Sequence, residues 1–462
     1  YSEIVSDIRI AYTAYNASPH RLIKKTDNMR YCSCGKTANI IANPCDPIRA
    51  ENGFTYIPDT ERNGVRIIGY AYNHKTDPVV IPETLGGQTV TAIGNYAFDG
   101  CQATSISIPK HVSDIDERAF AYIGGNLEEF IMDQANDHYS ASDGILLDNA
   151  YGFPIIFRYP TNKADEEFTF GDQVLAVMYY AFANTKNLKK VTIEGSSYMT
   201  TFGYDYGIIA DYAFWNSSVE TVELGFDALY WLGNNVFEGS KLNEINLPNH
   251  IYKLGFDIFK NTPLTNNEEN YDADGVLYYD NWLITTLNEA GPESYTVKEG
   301  TLIISGGAFN WTDLKKLTIA KSVVNVGANP TMNCPKFLEY SVAEGNRTLS
   351  ADEHGVLYAY YDAKPLNGGR EIASYPTAKP ETCYVISDIN KIRERAFANT
   401  KYLKNIYIPS GVEQIDVYSF GTKDSSAYMI HYGSGASDWE NKVSKGTSDI
   451  LVEPDIMPDL YM

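Results

Sequence analysis

Cysteine is scarce, with six in 462 residues and no CxxC pair, so neither a disulfide scaffold nor the usual zinc spacing is present. Basic charge is in deficit: 37 Lys plus Arg against 59 Asp plus Glu leaves a net charge of −22, and such a chain repels a phosphate backbone. Nucleic acid is therefore not expected as a partner. No apolar run approaches the ~18 residues of a membrane span. The signatures of a P-loop, a dinucleotide fold, a zinc protease, a serine hydrolase or a kinase do not occur. His20, His74, His111, His138, His250, His354 and His431 never pair at ligand spacing. Adjacent acids such as Glu128 and Glu129 fall on opposite faces of a strand and cannot form a catalytic dyad. Asp272 and Asp274 before Gly275 begin like a calcium loop but lack its later acidic positions, which favours a plain hairpin turn. No metal, no cofactor and no catalytic residue are expected, and the protein is read as no enzyme.

Apolar residues are plentiful at 44%, enough to order the chain. Among the aromatics, 36 Tyr outweigh 19 Phe and 5 Trp. Tyrosine combines a flat apolar body with a polar tip, and its excess calls for an explanation. Cys32, Cys34 and Cys45 cluster near the start, where one disulfide would suit an oxidising compartment. Cys101, Cys334 and Cys383 read as buried small apolar residues. The chain opens at Tyr1 without methionine or an apolar leader, so a targeting segment is expected to have been removed.

Self-comparison shows a repeat. A small residue followed by an aromatic recurs at Phe98, Phe120, Phe182, Phe214, Phe237, Phe259, Phe309, Phe397 and Phe420, with several steps of 22 or 23 residues. A degenerate tenth unit puts Thr331 in the Phe position. Between the markers lie short segments such as LEEFIM at 127–132, LKKVTI at 188–193, LKKLTI at 314–319 and LKNIYI at 403–408. Their fourth and sixth positions are apolar and their third and fifth mostly polar, the alternation of a half-buried strand. A unit this short cannot bury its own apolar face, so neighbours must stack. Three intervals are longer by 40, 28 and 44 residues, and each carries two strand-like runs separated by a polar turn: from Asp143, from Asp274 and from His354. These read as inserted β-hairpins. A fourth insert, of 10 residues, surrounds Tyr204.

The pattern L-x-x-I-x-I followed by IP-x-x-V-x-x-I-x-x-x-AF resembles the BspA-type leucine-rich repeats of bacterial surface proteins. The likeness covers about 65–452, and both the DG-[IV]-L hairpins and the Tyr–Gly–Trp segment after Met429 are similar to the family's. The resemblance implies an α/β solenoid, rich in β: a leucine-rich-repeat right-handed superhelix of about ten 22–23-residue coils with three inserted β-hairpins. Residues 1–52 are unassigned. Residues 53–462 are read as a single solenoid with an N-terminal cap at about 53–90 and a C-terminal cap at about 425–462.

The resemblance further implies a secreted or cell-surface, adhesin-like binding protein, extracellular and without chemistry of its own. Its partner would be a host or bacterial protein or a polysaccharide, with the chain itself a monomer. In a leucine-rich-repeat frame the third and fifth strand positions project from the concave face, which nominates Glu129, Lys190, Glu223, Glu244, Lys316 and Tyr407. The hairpins add Tyr278, Tyr279, Trp282, Tyr360 and Tyr361, because Tyr and Trp give large contact area at low entropic cost. Two other readings stay open: a structural spacer with no ligand, and a carbohydrate-active enzyme, which would need two carboxylates ~5–9.5 Å apart in a cleft.

Overall fold

The computed structural model describes residues 49–149, 155–171, 176–194, 207–225, 228–287, 291–360, 369–409, 411–412, 414–416 and 418–421. It also describes the backbone of strands at 22–26, 29–32, 37–39, 429–432 and 451–454. Two compact units are present, one of Tyr1–Tyr198 with Tyr212–Val219 and the other of Met199–Asp211 with Glu220–Met462. Among the described residues helix is limited to Pro263–Asn266 and one 3-10 turn, Glu268–Asn270. The architecture is a β-rich solenoid with almost no helix, and among the described residues the α part of the expected class reduces to this short helix.

Each coil gives one strand to each of two parallel ladders. In the first ladder of the first unit, Ser105–Ile108 pairs with Glu129–Met132, and Glu167–Phe170 with Lys190–Ile193. In the second unit Ser294–Thr296, Lys316–Ile319 and Glu339–Val342 run side by side. Cys383–Val385, Asn405–Ile408, Met429–Tyr432 and Leu451–Pro454 do the same. The alternation read from the sequence holds: Val191, Ile193, Leu317, Ile319, Ile406 and Ile408 are buried, while their neighbours at positions three and five are largely half-buried or exposed. Among the described residues fourteen strands belong to this first ladder, five in the first unit and nine in the second, so the array has about fourteen turns against the ten expected.

Of the four additional turns, two are the strands Met429–Tyr432 and Leu451–Pro454 beyond the last marker, Phe420, and two come from the inserts. The inserts are woven into the core. In the first, Tyr139–Ser142, Ile145–Asp148 and Ile155–Arg158 form an antiparallel meander, and the last of these then joins the second ladder beside Ala176–Val177. The third repeats the scheme with Leu349–Ala351, Leu357–Tyr360 and Arg370–Ser374, the last paired in parallel with Lys391–Ile392. In the second insert Val276–Tyr279 pairs with Trp282–Thr286, which lies parallel to Ile303–Ile304. The two longest inserts thus each hold an additional coil whose marker is a Tyr–Pro pair. The Tyr159 amide donates to the Ala181 carbonyl and that of Tyr375 to the Ala396 carbonyl, just as the Phe182 amide donates to the Ala213 carbonyl. Tyr159 packs on Phe182 with centroids 5.3 Å apart, and Tyr375 stacks on Phe397 at 5.4 Å.

The AF turn has its own rule. Two residues before the aromatic the backbone is left-handed at Tyr96, Tyr180, Tyr212, Asn235, Asp257, Gly307, Asn329, Arg395 and Tyr418. Two residues after, it is left-handed at Gly100, Asn184, Asn216, Gly239, Asn261, Trp311 and Asn399. Glycine and asparagine tolerate that conformation best, which accounts for the recurrent G or N in AFDG, AFAN, VFEG and IFKN. The turns then stack ring on ring: Phe98 on Phe120 at 5.2 Å, Phe182 on Phe214 at 4.8 Å, Phe237 on Phe259 at 5.6 Å and Phe397 on Phe420 at 5.7 Å. In the degenerate unit Thr331 is fully buried, and the Phe309 amide donates to the Pro330 carbonyl, so the frame survives the loss of the ring.

Cys101 and Cys334 are buried free thiols, as expected, but Cys383 is exposed on the first-ladder strand Cys383–Val385. It sits at the third position of an L-x-x-I-x-I equivalent, which faces outward. The side chains of Cys32, Cys34 and Cys45, the segment around Tyr204 and most of the expected C-terminal cap lie outside the described residues.

Candidate functional site

The nominated strand residues occupy the outward face. Glu129, Glu223 and Glu244 are exposed, and Lys190, Lys316 and Tyr407 are half-buried. Coil stacking puts opposite charges level with one another: Lys316 Nζ lies 2.6 Å from Glu339 Oε1. Glu129 and Lys190 belong to the first unit and the others to the second. None of them lines either of the two clefts described below; the face is a polar surface of mixed sign.

The hairpin residues divide differently. Trp282 is a correction: it is fully buried and its indole N–H donates to the Pro248 carbonyl at 3.2 Å, because its strand enters the second ladder. A residue so placed cannot meet a ligand. Tyr278 and Tyr279 are half-buried. The Tyr278 hydroxyl lies 2.9 Å from that of Tyr295, Lys298 Nζ sits 4.3 Å over its ring, and the Tyr279 hydroxyl accepts from the Ile245 amide at 3.3 Å. Tyr360 is 45% exposed and accepts from Ser350 Oγ at 3.1 Å. Tyr361, like Tyr151 and Phe153, lies outside the described residues. Phe157, Tyr159, Tyr358 and Tyr375 are core. Much of the tyrosine excess is thus interior, with rings in the core and hydroxyls bonded to half-buried carboxylates: Tyr159 donates to Asp165, Tyr375 to Glu381, and Tyr358 and Tyr384 share Asp352.

The Asp272 turn resolves as a hairpin device. Asp272 Oδ1 accepts from the amides of Asp274 and Val276, and Asp352 repeats this with His354 and Val356. Partial burial would raise the Asp272 carboxyl, but Lys298 and those amides hold it below its usual range. Among the described residues no cluster of three His, Cys, Asp or Glu is disposed to hold a metal ion.

The sequence reading did not single out a row of aromatics beside the AF turns of the first unit. Tyr96 stacks on Tyr122 with centroids 5.6 Å apart and planes at 9°, and Tyr180 stacks on Tyr212 at 5.0 Å and 5°. Tyr122 meets Tyr180 and Trp215 edge-on at 5.5 and 5.7 Å. Arg118 lies over Tyr179, 5.7 Å from its centroid. Tyr122 is 40% exposed, and Tyr96, Tyr179, Tyr212 and Trp215 are half-buried. The signal was present in NYAF, YYAF and DYAF: a tyrosine in a left-handed slot that glycine or asparagine fills more cheaply.

Two clefts of the second unit are lined by described residues. One, of about 170 Å³, is bounded by Tyr230 stacked on Tyr252 at 4.8 Å, and by Lys253, Arg393, Glu394 and Asp416. Burial pushes the Glu394 carboxyl up against the opposing pull of Lys253 and Arg395, and Asp211 and Asp416 push the same way as burial. The other, of about 300 Å³, lies between the AF turns of Phe259 and Phe309, with Trp311 among its lining residues.

A family model described as "BspA type Leucine rich repeat region" matches in six copies over residues 70–142, 159–270 and 375–442, more than half of the chain. No curated protein matches. Among solved structures, a leucine-rich cell surface protein from Faecalibacterium prausnitzii is 19% identical, with 86% of this chain and 98% of that one covered and a TM-score of 0.29. A leucine-rich repeat protein from Bacteroides ovatus is 15% identical over 88% and 100%, also with a TM-score of 0.29. The pneumococcal vaccine antigen PcpA is 15% identical over 89% and 88%, with a TM-score of 0.24. Superpositions this loose carry no weight beside the repeat model.

Proposed function

Because the chain belongs to the BspA-type leucine-rich-repeat family, we propose that it is an extracellular, adhesin-like binding protein that acts by contact and not by catalysis. The observation that carries this reading is the aromatic row of Tyr96, Tyr122, Tyr212 and Trp215 with Arg118 beside it. Tyr, Trp and Arg are the residues on which protein interfaces concentrate their energy, and here the solenoid sets them level with one another at coil spacing. Single exposed aromatics are ordinary on protein surfaces; a stacked set that keeps left-handed tyrosines, a conformation costing about 1–2 kcal/mol for each residue, is not. A protein partner fits this chemistry best. The outward strand residues Glu129, Lys190, Glu223, Glu244, Lys316 and Tyr407, with Tyr278, Tyr279 and Tyr360, supply the polar surroundings that set specificity and orientation.

The test is a binding screen of the folded chain against extracellular matrix proteins and bacterial surface proteins, at low and at physiological salt. Saturable binding that survives physiological salt supports the reading, since a contact made by aromatic burial is little screened. A chain that binds nothing in either condition is a spacer.

A further inference from the structure

We propose that the 300 Å³ cleft between the turns of Phe259 and Phe309 is a saccharide subsite, in which Trp311 stacks on the face of a neutral sugar ring. Trp311 is the most unusual residue of the second unit's turns. It is 63% exposed at φ +65°, in the slot two residues after the marker that Asn or Gly fills at Asn184, Asn216, Gly239, Asn261 and Asn399. An indole there is strained and wet at once. Backbone outliers of this kind persist where the surroundings impose them and are concentrated at ligand sites.

The cleft behind it is polar. Ser305 Oγ and Asn310 Oδ1 are buried without a hydrogen-bond partner among the described residues, and the Ser305 residue is only 2% exposed. A buried polar atom left unpaired costs roughly 1–3 kcal/mol; both lie just behind the cleft surface, and a side-chain rotation on binding would present them to sugar hydroxyls, each both donor and acceptor. Asn261 and Asn266 add amides to the lining. The charges of the lining cancel: Lys260 lies 3.3 Å from Asp257 and is held from outside the cleft by Glu238, also at 3.3 Å, so no cation of the lining remains for an anionic ligand. A volume of about 300 Å³ is at the lower end for small-molecule sites, which run from ~300 to ~1,000 Å³, and suits one or two rings. A flat aromatic face joined to amide and hydroxyl groups matches the alternating C–H face and hydroxyl rim of a sugar.

The site is separate from the aromatic row, so the two readings fail independently. The experiment is a neutral-glycan array followed by titration of the hits, on the intact chain and on Trp311→Asn, Ser305→Ala and Tyr122→Ala. Trp311→Asn puts into the slot the residue that occupies it elsewhere, so its melting temperature is expected to stay level or rise, and any loss of binding is then a loss of contact. The expected result is saturable binding of at least one neutral glycan, weakened at least about tenfold by Trp311→Asn and about threefold by Ser305→Ala, and unchanged by Tyr122→Ala. No neutral glycan held at up to about 10 mM, retention of charged glycans alone, or equal binding by Trp311→Asn overturns the proposal.

Discussion

Replacing Phe182 by alanine probes the stacking that builds the array. Phe182 is fully buried, with its ring 4.8 Å from Phe214 and nearly parallel to it, 5.3 Å from Tyr159 and 5.5 Å from Phe170. Truncating a buried Phe to Ala costs about 3–5 kcal/mol. Three ring partners, each worth about 0.5–1.5 kcal/mol beyond its buried area, put this site near 4 kcal/mol. In an array whose coils touch only their neighbours the loss stays local. Hydrogen exchange followed by mass spectrometry is the assay, since it reads opening segment by segment. Amides of Ile155–Arg158 and Lys190–Ile193 are expected to exchange about a thousandfold faster, one factor of ten for each ~1.4 kcal/mol, while Lys316–Ile319 in the other unit keeps its protection. Less than a tenfold change at Lys190–Ile193, or equal acceleration at Lys316–Ile319, refutes the nearest-neighbour account.

Other consequences follow from single residues. A Cβ on Gly255 would collide with the Gly233 backbone of the preceding coil, so Gly255→Ala is expected to cost at least about 2–3 kcal/mol, visible as a lower urea midpoint. The raised Glu394 carboxyl contributes stability in its protonated form below the unfolded value, and that contribution is lost as pH rises through the folded one. Glu394→Gln should therefore melt higher than the parent at pH 7, with the gap closing toward pH 4; a gap that widens in acid contradicts the burial argument. Iodoacetamide should label Cys383 in the folded chain and leave Cys101 and Cys334 unlabelled until denaturant is added, because the latter two are buried and burial pushes the Cys334 thiol up to about 11.

The repeat was legible because its elements report independently: alternation marks the strands, and the AF pair with a following Gly or Asn marks the turns. The count of coils was not: two turns lie beyond the last marker, Phe420, and two more have Tyr159 and Tyr375 in the Phe position inside segments that read as hairpins alone. Nothing local distinguishes a Tyr–Pro pair that closes a coil from one that ends a loop; the hydrogen bonds to Ala181 and Ala396 do. Trp282 was misplaced for a related reason, since a hairpin strand that continues into a parallel ladder is covered on both faces. Of the candidate sites, the outward strand positions followed from period two. The aromatic row and the Trp311 cleft did not, because they depend on residues one or more coils apart that the solenoid sets level. Their only local trace is a bulky residue where the turn asks for glycine or asparagine.

The most direct test of the binding account compares the intact chain with a Tyr122→Ala, Trp215→Ala double variant on the same panel of extracellular proteins, after both are shown to melt cooperatively. The account predicts a saturable partner for the intact chain and a loss of at least about a hundredfold in affinity for the variant, two hot-spot truncations at ~1.4 kcal/mol or more each. A partner bound equally by both would contradict it.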